Sequence, residues 1–330
     1  MALLTFEQAL SQVGPHTRPH LLMGNGFSRA LRNDIFNYAN LLDMADFGSR
    51  DTALRELFSR LGTFDFEAVM RLLESAETVL DTYGGNEVVL DRIRQDQDLL
   101  KSALITAISK THPERPHDVQ ASQFTAARRF LARFEQVFTV NYDLLFYWAR
   151  NQGDLPPDDY ETDDGFRKGP IWKEYGTRQE VHFLHGGLHI YEDGLRIRKL
   201  AHASNEVAII DQVQANLERG KFPLFVSEPT SQKKRQRIEH SPYLSYCYRA
   251  LRHIDGPLFI LGHSMDANDS HIFEQIKESG VTRIFVSIHG DEYSEVNTAT
   301  KANARAYLEG GQRSVEFFDA ETAHVWEGGV

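Results

Sequence analysis

Short apolar runs, each bounded by polar or turn residues, are the feature that most constrains the fold of this chain. They have the length of buried parallel strands, and helical patterns separate many of them. The runs are Leu21–Met23, Gln136–Val140, Val181–Leu184, Pro223–Val226, Pro257–Leu261, Thr282–Ile288 and Ser314–Phe318. Strands that alternate with helices predict an α/β chain with a doubly wound, Rossmann-like and mainly parallel sheet.

The interval after the first run breaks this alternation. Between about residues 28 and 134, apolar residues recur at the three- and four-residue spacing of helices, and no convincing strand interrupts them. We therefore predict one domain over residues 1–330, with residues 36–133 forming an inserted helical lobe. Residues 151–180 are rich in Asp, Gly, Pro and aromatic residues without periodicity, which predicts an irregular active-site loop.

A glycine turn follows the first apolar run. The sequence Gly24-Asn25-Gly26-Phe27-Ser28 separates this strand pattern from the start of a helix pattern. A helix N-terminus binds anions because its N–H groups and dipole favour negative charge, and glycines let a phosphate approach the backbone. We expect Ser28 to cap the helix. The turn predicts a nucleotide pyrophosphate site, although two glycines around an asparagine also make an ordinary turn.

A second polar turn ends the next apolar run, in Phe138-Thr139-Val140-Asn141-Tyr142-Asp143. Asn141 and Asp143 are two residues apart just beyond a strand, so both side chains can face a cleft. The alternative is an Asx turn in which Asp143 caps the helix over residues 144–150. Both interpretations stay open from the sequence.

Two further turns complete the set. His185-Gly186-Gly187 ends the third run, and a histidine there can act as a general base or be a structural residue, whereas His182 and His189 are expected to be packing or surface residues. Gly262-His263-Ser264-Met265-Asp266 ends the fifth run, where Ser264 can bond a phosphate or a ribose. Because all four turns follow strands of one predicted parallel sheet, they converge on the edge where such sheets bind ligands.

At these four turns the chain resembles the sirtuin-like NAD-consuming domains of bacterial anti-phage defence. That family has a Gly-x-Gly-x-Ser turn at the NAD pyrophosphate, a Thr-x-Asn-x-Asp stretch after the next core strand, a His-Gly pair with the catalytic histidine and a Gly-x-Ser turn at the adenosine. The matching residues, in the same order, are Gly24–Ser28, Thr139–Asp143, His185-Gly186 and Gly262–Ser264. The fuller pattern, with Thr63–Glu67, Asp164-Gly165-Phe166 and the Lys233 region, resembles a bacterial family described only as a domain of unknown function.

The resemblance implies an NAD+ glycohydrolase with NAD+ as its substrate and no metal. Asn141 would position water and the ribose hydroxyls, Asp143 would bind the nicotinamide amide, and His185 would activate a ribose hydroxyl or water. Protein-deacetylating sirtuins carry four cysteines on a zinc ribbon, whereas this chain has a single cysteine, Cys247. We therefore expect no zinc ribbon and no protein deacetylation.

Two other functions fit parts of the sequence. Ser264 lies in a Gly-His-Ser-Met-Asp stretch that is similar to a nucleophile elbow, and Asp319 and His324 follow in the order of a serine esterase. Against this reading, Asp266 occupies the position where the elbow needs a small residue. The third interpretation is a non-catalytic module that senses NAD+ or a related nucleotide.

The charge of the chain bears on its partners. Its formal net charge of −11 argues against direct nucleic-acid binding and fits a protein partner better. The resemblance implies a homo-oligomer, a sensor protein encoded nearby, or both, as the switch for the activity. The basic run Lys233-Lys234-Arg235-Gln236-Arg237 is expected to be a solvated loop or helix start. A lone cysteine and the lack of a membrane-length apolar run predict a cytoplasmic protein without a membrane partner.

Overall fold

The structure, a computed structural model, describes most of the chain. It covers residues 3–14, 17–33, 42–64, 66–113, 115–167, 169–175, 178–200, 208–218, 221, 223–226, 228 and 230–327. The predicted start of the helical lobe at residue 36 lies outside the described residues, as does Asp65 of the Thr63–Glu67 pattern.

The strands form two sheets. They are β1 (His20–Met23), β2 (Val137–Thr139), β3 (Val181–Phe183), β4 (Gly186–Asp193), β5 (Arg196–Lys199), β6 (Pro223–Phe225), β7 (Asp255–Leu261), β8 (Gly280–Ile288) and β9 (Ser314–Asp319). The larger sheet is parallel, with the order β3-β2-β1-β7-β8-β9. Every residue of β1, β2 and β3 is buried, which is why these strands read as uninterrupted apolar runs.

Helices alternate with many of the strands along the chain, and together they form a Rossmann-like, doubly wound α/β fold, as predicted. They are α1 (Phe6–Ser11), α2 (Gly26–Leu31), α3 (Asp51–Leu61), α4 (Phe66–Thr82), α5 (Glu87–Thr111), α6 (Ala121–Leu131), α7 (Leu145–Arg150), α8 (Ile209–Glu218), α9 (Ser231–His240), α10 (Pro242–Arg252), α11 (Ser270–Glu278) and α12 (Glu295–Leu308). Within the described residues, no helix is long and apolar enough to span a bilayer.

The described residues between β1 and β2 form helices joined by turns, and no strand interrupts them. Helices α2 to α6 occupy this interval, and α4 and α5 pack against each other. Apolar side chains at helical spacing explain these elements, because each helix buries one face. Residues 151–180 are irregular in their described parts, apart from an isolated bridge between Ile171 and Arg198. The boundaries of the lobe and the place of the 151–180 loop at an active site stay predictions.

An aromatic cluster forms part of the core between α1 and the parallel sheet. The Phe6 ring lies 5.7 Å from that of Phe259 and 5.8 Å from that of Phe318. Edge-to-face and tilted pairs at this separation are favourable beyond the area that they bury. This packing fixes α1 against β7 and β9.

The predicted strand Pro223–Val226 does not belong to the parallel sheet, which corrects our prediction. Strand β6 pairs antiparallel with β4 in a three-stranded sheet of order β5-β4-β6, and neither β4 nor β5 was predicted. The close pairing depends on Gly186, whose φ is 75° and whose Cβ would lie 1.9 Å from the carbonyl oxygen of Leu224. An apolar run in the sequence indicates that a strand is buried, but it does not indicate which strand is its hydrogen-bonding partner.

The strand order places the four polar turns together. The chain moves from β1 outward through β2 and β3, and later returns to β7 on the other side of β1. Open α/β sheets bind ligands at the carboxyl ends of the strands where the order reverses in this way. Because the four turns follow the neighbouring strands β3, β2, β1 and β7, their predicted convergence on one edge is confirmed.

Candidate functional site

The glycine turn after β1 packs directly on the turn after β7. The N–H groups of Gly24 and Gly26 donate to the carbonyl oxygens of Leu261 and Gly262, each at 2.9 Å. A Cβ on Gly26 would lie 2.4 Å from the Cα of Gly262. These glycines are therefore required by backbone-to-backbone packing, and their two N–H groups are already used. The role of the turn in pyrophosphate binding stays a prediction.

We expect Gly26→Ala to destabilise the protein by about 1–3 kcal/mol, because the added methyl group meets backbone that cannot rotate away. Urea unfolding of the variant would measure the loss. Gly153→Ala is the matched control, since a Cβ there has no atom within 4 Å among the described residues, and its stability should stay within about 0.5 kcal/mol of wild type. A Gly26→Ala protein as stable as wild type would contradict the packing role.

Ser28 joins the turn to the Asn141–Asp143 segment. Our prediction that Ser28 caps the helix was wrong: Asn25 is the N-cap of α2, and Ser28 lies within its first turn. The Ser28 side chain is fully buried and its hydroxyl donates to Oδ2 of Asp143 at 2.5 Å. Its oxygen accepts from Nδ2 of Asn141 at 3.1 Å. Three of the predicted site residues thus form one hydrogen-bonded group.

The orientation of the Asn141 amide follows from this group. A carboxylate has no hydrogen to give, so the Ser28 hydroxyl donates to Asp143 and its oxygen accepts from Asn141 Nδ2. This arrangement turns Asn141 Oδ1 away from Ser28, and Oδ1 is buried with no donor in the described part of the chain. A buried carbonyl oxygen without a partner costs roughly 1–3 kcal/mol, which favours binding of a ligand or water that can donate to it.

Asp143 binds the start of the helix that follows it, which was one of the two roles that the sequence left open. Its Oδ1 accepts the N–H of Leu145 at 2.8 Å, so it ties down the first turn of α7 while Oδ2 binds Ser28. Burial raises the pKa of this carboxyl, and the Ser28 hydrogen bond opposes that rise. Thr139 is fully buried and its Oγ1 accepts the N–H of Asn141. Both residues therefore position Asn141.

His185 lies in a second polar group at the same edge. Its residue is only 2% exposed, and its Nε2 is 3.2 Å from Nε2 of His271 and 3.8 Å from Oδ1 of Asp269. Burial lowers the pKa of His185 well below its ordinary value, although the Asp269 charge opposes this. Nδ1 of His185 makes no hydrogen bond to any described residue. His185 is therefore neutral near pH 7 with one ring nitrogen available.

Asp269 links this group to the basic run. Its Oδ1 is 3.0 Å from the Lys234 ammonium, and its Oδ2 is 3.2 Å from Nε2 of His263, an ion-pair distance without hydrogen-bond alignment. Burial alone would raise the pKa of Asp269, but His263 and Lys234 keep it well below its ordinary value. Lys234 is 3% exposed on α9, so the prediction of a solvated run is wrong for this residue.

Sequence reasoning missed three members of this group: Lys234, Asp269 and His271. The signal in the sequence was the density of His and Asp over residues 263–271, directly after a predicted strand. That density does not reveal which of these side chains face the site. His185 and His271 are 86 residues apart in the chain and meet only because the sheet brings β3 and β7 to one edge.

His185, Asp269 and His271 are also residue types that bind metal ions, and their ligand atoms lie within 4.8 Å of one another. The two rings, however, have centroids 5.4 Å apart with planes 17° apart. The distance between the centroids is nearly the sum of the 3.2 Å Nε2···Nε2 distance and the radii of the two rings. Both Nε2 atoms therefore lie close to the line that joins the centroids, and they point almost straight at each other. That is the geometry of an N–H···N hydrogen bond, whereas a tetrahedral metal needs the lone pairs to converge on a point beside the line.

Tyr142 lies between the two groups. It follows Asn141 in the chain, its ring centroid is 6.4 Å from that of His185, and its hydroxyl donates to the Val226 carbonyl at 2.5 Å. Gly186 and Gly187 bring the chain from His185 into β4, whose Leu188 N–H bonds the Tyr142 carbonyl. The Asn141 and His185 groups are thus adjacent parts of one edge.

Ser264 has a different environment. The residue is exposed, its carbonyl oxygen accepts from the Thr300 hydroxyl, and the positive φ values of this turn are at Gly262 (64°) and Met265 (57°), not at Ser264. Asp319 accepts the N–H of Glu321, while His324 bonds Glu327. The structure therefore does not bring Ser264, Asp319 and His324 together as a serine-esterase triad requires.

His182 and His189 are packing residues, which was one of the two alternatives predicted for them, the other being surface residues. The ring of His182 stacks on Phe138 at 4.7 Å and that of His189 on Tyr147 at 4.3 Å. Both residues are almost completely buried, and burial lowers the pKa of each to about 3. Neither histidine can act as a base at the sheet edge.

The fold and this edge define a class: an α/β protein of the Rossmann-like type with a buried polar site at its topological switch point. The chain belongs to the family described as a domain of unknown function (DUF4917), whose model matches residues 21–326. No curated protein matches the chain. The match confirms the resemblance to a family of that description and spans all four polar turns.

Proposed function

We propose that this protein is an NAD+ glycohydrolase, which cleaves NAD+ to nicotinamide and ADP-ribose. The observation that carries the proposal is the Asn141 side chain at the switch point. Its Nδ2 is bound to Ser28, and its buried Oδ1 has no donor among the described residues. Such an oxygen is suited to accept a hydrogen from the attacking water or from a ribose hydroxyl, and so to orient it.

His185 supplies the base in this proposal. Cleavage of the nicotinamide–ribose bond needs a group that takes a proton from water or from a ribose hydroxyl. A neutral imidazole can do this, and burial keeps His185 neutral at physiological pH. A histidine that was protonated at pH 7 would lack the lone pair for the step.

Asp143 acts through its neighbours in this scheme. Both of its oxygens are bound, one to Leu145 and one to Ser28, so its clearest contribution is to position Ser28 and through it Asn141. Its contact with the nicotinamide amide is a further expectation from the resemblance. Pyrophosphate binding by Gly24–Ser28 and adenosine binding at Gly262 and Ser264 are likewise expectations from the resemblance.

The candidate groups are covered in this structure. His185 is 2% and Asn141 6% exposed, and the proposal therefore includes an opening of the edge before NAD+ reaches them. This supports an activity that stays off until a partner protein or self-association opens the site. We include in the proposal a role as the NAD-depleting effector of bacterial anti-phage defence in the cytoplasm, because unrestrained loss of NAD+ would kill the host cell.

The test is to incubate the purified protein with NAD+, alone and with the proteins encoded beside it, and to measure nicotinamide and ADP-ribose by chromatography. We expect stoichiometric release of both products in at least one condition. Binding of NAD+ without cleavage in every condition would reject the enzyme and favour the sensing module. Labelling of Ser264 by a fluorophosphonate would favour the esterase, which the positions of Asp319 and His324 do not support.

A further inference from the structure

We propose that His271 is a positioning residue for His185, in a hydrogen-bonded pair that keeps the hydrogen of neutral His185 on Nε2 and leaves Nδ1 as the base. The inference rests on the proposed function, since it names the atom of His185 that takes the proton. It also assigns a role to Asp269 and Ser231, which the four turn motifs do not contain.

The head-on contact of the two rings carries the first step. The two Nε2 atoms are 3.2 Å apart and lie close to the line that joins the ring centroids. At this distance and alignment one nitrogen must donate a hydrogen and the other must accept it. In a neutral pair, a hydrogen on Nε2 of one ring therefore excludes a hydrogen on Nε2 of the other. The tautomers of His185 and His271 are coupled, and whatever sets one sets the other.

Ser231 completes the contacts of His271. Its Oγ is 3.1 Å from Nδ1 of His271, accepts the His271 backbone N–H at 2.8 Å and lies 2.9 Å from Oγ of Ser270. A hydroxyl pair can direct its hydrogens either way, so Ser231 can accept from Nδ1–H of His271 or donate to a bare Nδ1. Ser231 therefore satisfies both tautomers and does not choose between them.

Asp269 makes the choice. Its Oδ1 is 3.8 Å from Nε2 of His185, and a negative charge there favours the hydrogen on that nitrogen. Burial lowers the pKa of both His185 and His271, and the neighbouring Lys234, Arg235 and His263 lower the pKa values of this pair further. Only Asp269 raises them, so neither ring takes up an additional proton. The pair is thus neutral, with His185 as the Nε2–H donor and His271 as the Nδ1–H tautomer.

This arrangement provides a path for the proton. When water or a ribose hydroxyl gives its proton to His185 Nδ1, the hydrogen on Nε2 can pass to His271 Nε2. The hydrogen on His271 Nδ1 can then pass to Ser231 while Ser231 releases its own hydroxyl hydrogen to water in the groove, directly or through Ser270, so one proton enters the pair and one leaves. Ser231 lines a groove of about 440 Å³, together with Ser270, His271, Arg235 and Glu274. The proton therefore leaves toward solvent through this groove.

Nitrogen-15 NMR of histidine-labelled wild type, without NAD+, tests the tautomers directly, with His271→Gln for assignment. We expect an N–H on Nε2 of His185 and on Nδ1 of His271. A hydrogen on Nδ1 of His185 would overturn the proposal, and so would stoichiometric metal that metal analysis finds bound to these rings. This NMR measurement uses no NAD+. If the wild type does not cleave NAD+, the proposed function is rejected, but the tautomers measured by NMR still test the hydrogen-bonded pair.

Kinetics separate positioning from a merely structural role. We expect His271→Gln to lower kcat about 100-fold, the lower end of what a positioned base contributes, with KM unchanged. Imidazole in the buffer should restore activity to His271→Ala, which has a cavity where the ring was. His253→Gln, an exposed histidine at the end of α10, is the matched control and should keep full activity. An unchanged kcat in His271→Gln, or no rescue of His271→Ala, would overturn the proposal.

Discussion

His185→Gln should lower the rate of NAD+ cleavage by about 10²- to 10⁴-fold, the contribution of a positioned general base. The substitution keeps a polar side chain that can still contact His271, so the fold should survive while the ring that takes the proton is lost. The measurement is kcat for nicotinamide release under the condition in which the wild type is active. Thermal unfolding of the variant, compared with wild type, excludes loss of activity through unfolding.

The pH profile of the wild type extends this prediction. Burial lowers the pKa of His185 well below its ordinary value, so its neutral form persists as the pH falls through about 6.5, where an exposed histidine would become protonated. Since the base acts in its neutral form, kcat should stay level from pH 8 down to pH 6. A fall in kcat with a midpoint near 6.5 would contradict the assignment of His185 as a buried base, as would a His185→Gln variant with wild-type kcat.

Asn141→Ala should lower kcat by about 100-fold, the cost of losing the orientation of a reacting group. In the proposed function the amide orients the reacting water or ribose hydroxyl and does not hold the rest of the dinucleotide, so KM should change little. Its loss removes one hydrogen bond to Ser28 and also one unpaired buried oxygen, so the free energy of unfolding should change by only about 1 kcal/mol. Nicotinamide release and urea unfolding of the same preparation measure both effects.

The matched control for Asn141→Ala is Asn151→Ala. Asn151 also makes one amide hydrogen bond, from Nδ2 to the Tyr147 carbonyl at 2.6 Å, but it lies at the far end of α7. We expect wild-type kcat in this control, with a similar small effect on stability. Equal losses of activity in the two variants would show that Asn141 acts only through the fold.

Much of the fold follows from local sequence patterns. Buried strands such as β1 and β8 read as apolar runs because both faces of a parallel sheet are covered, and the lobe helices show the spacing of one buried face. Turn chemistry at the strand ends also allowed the edge with Asn141 and His185 to be predicted. These signals act over a few residues, so they can be read without the partner elements.

Other features depend on partners far along the chain. Strand β6 was predicted from its apolar run, but its antiparallel pairing with β4 depends on Gly186 and on a hairpin that no run indicated. Gly26 suggests phosphate binding in sequence, whereas in the structure it is needed by contact with Gly262. Ser28 reads as a helix cap and instead bonds Asp143, 115 residues away. Residue type alone cannot distinguish these uses.

The sequence by itself determined the Rossmann-like fold class, the helical interval after β1 and the set of four polar turns. Only the tertiary structure decided what those turns contact: Asn141 bound to Ser28 with its oxygen unpartnered, and His185 facing His271 beside Asp269 and Lys234. The physical reason is range. Periodicity and turn chemistry report the burial and local geometry of neighbouring residues, whereas a buried polar site is assembled by sheet order from segments that share no local signal.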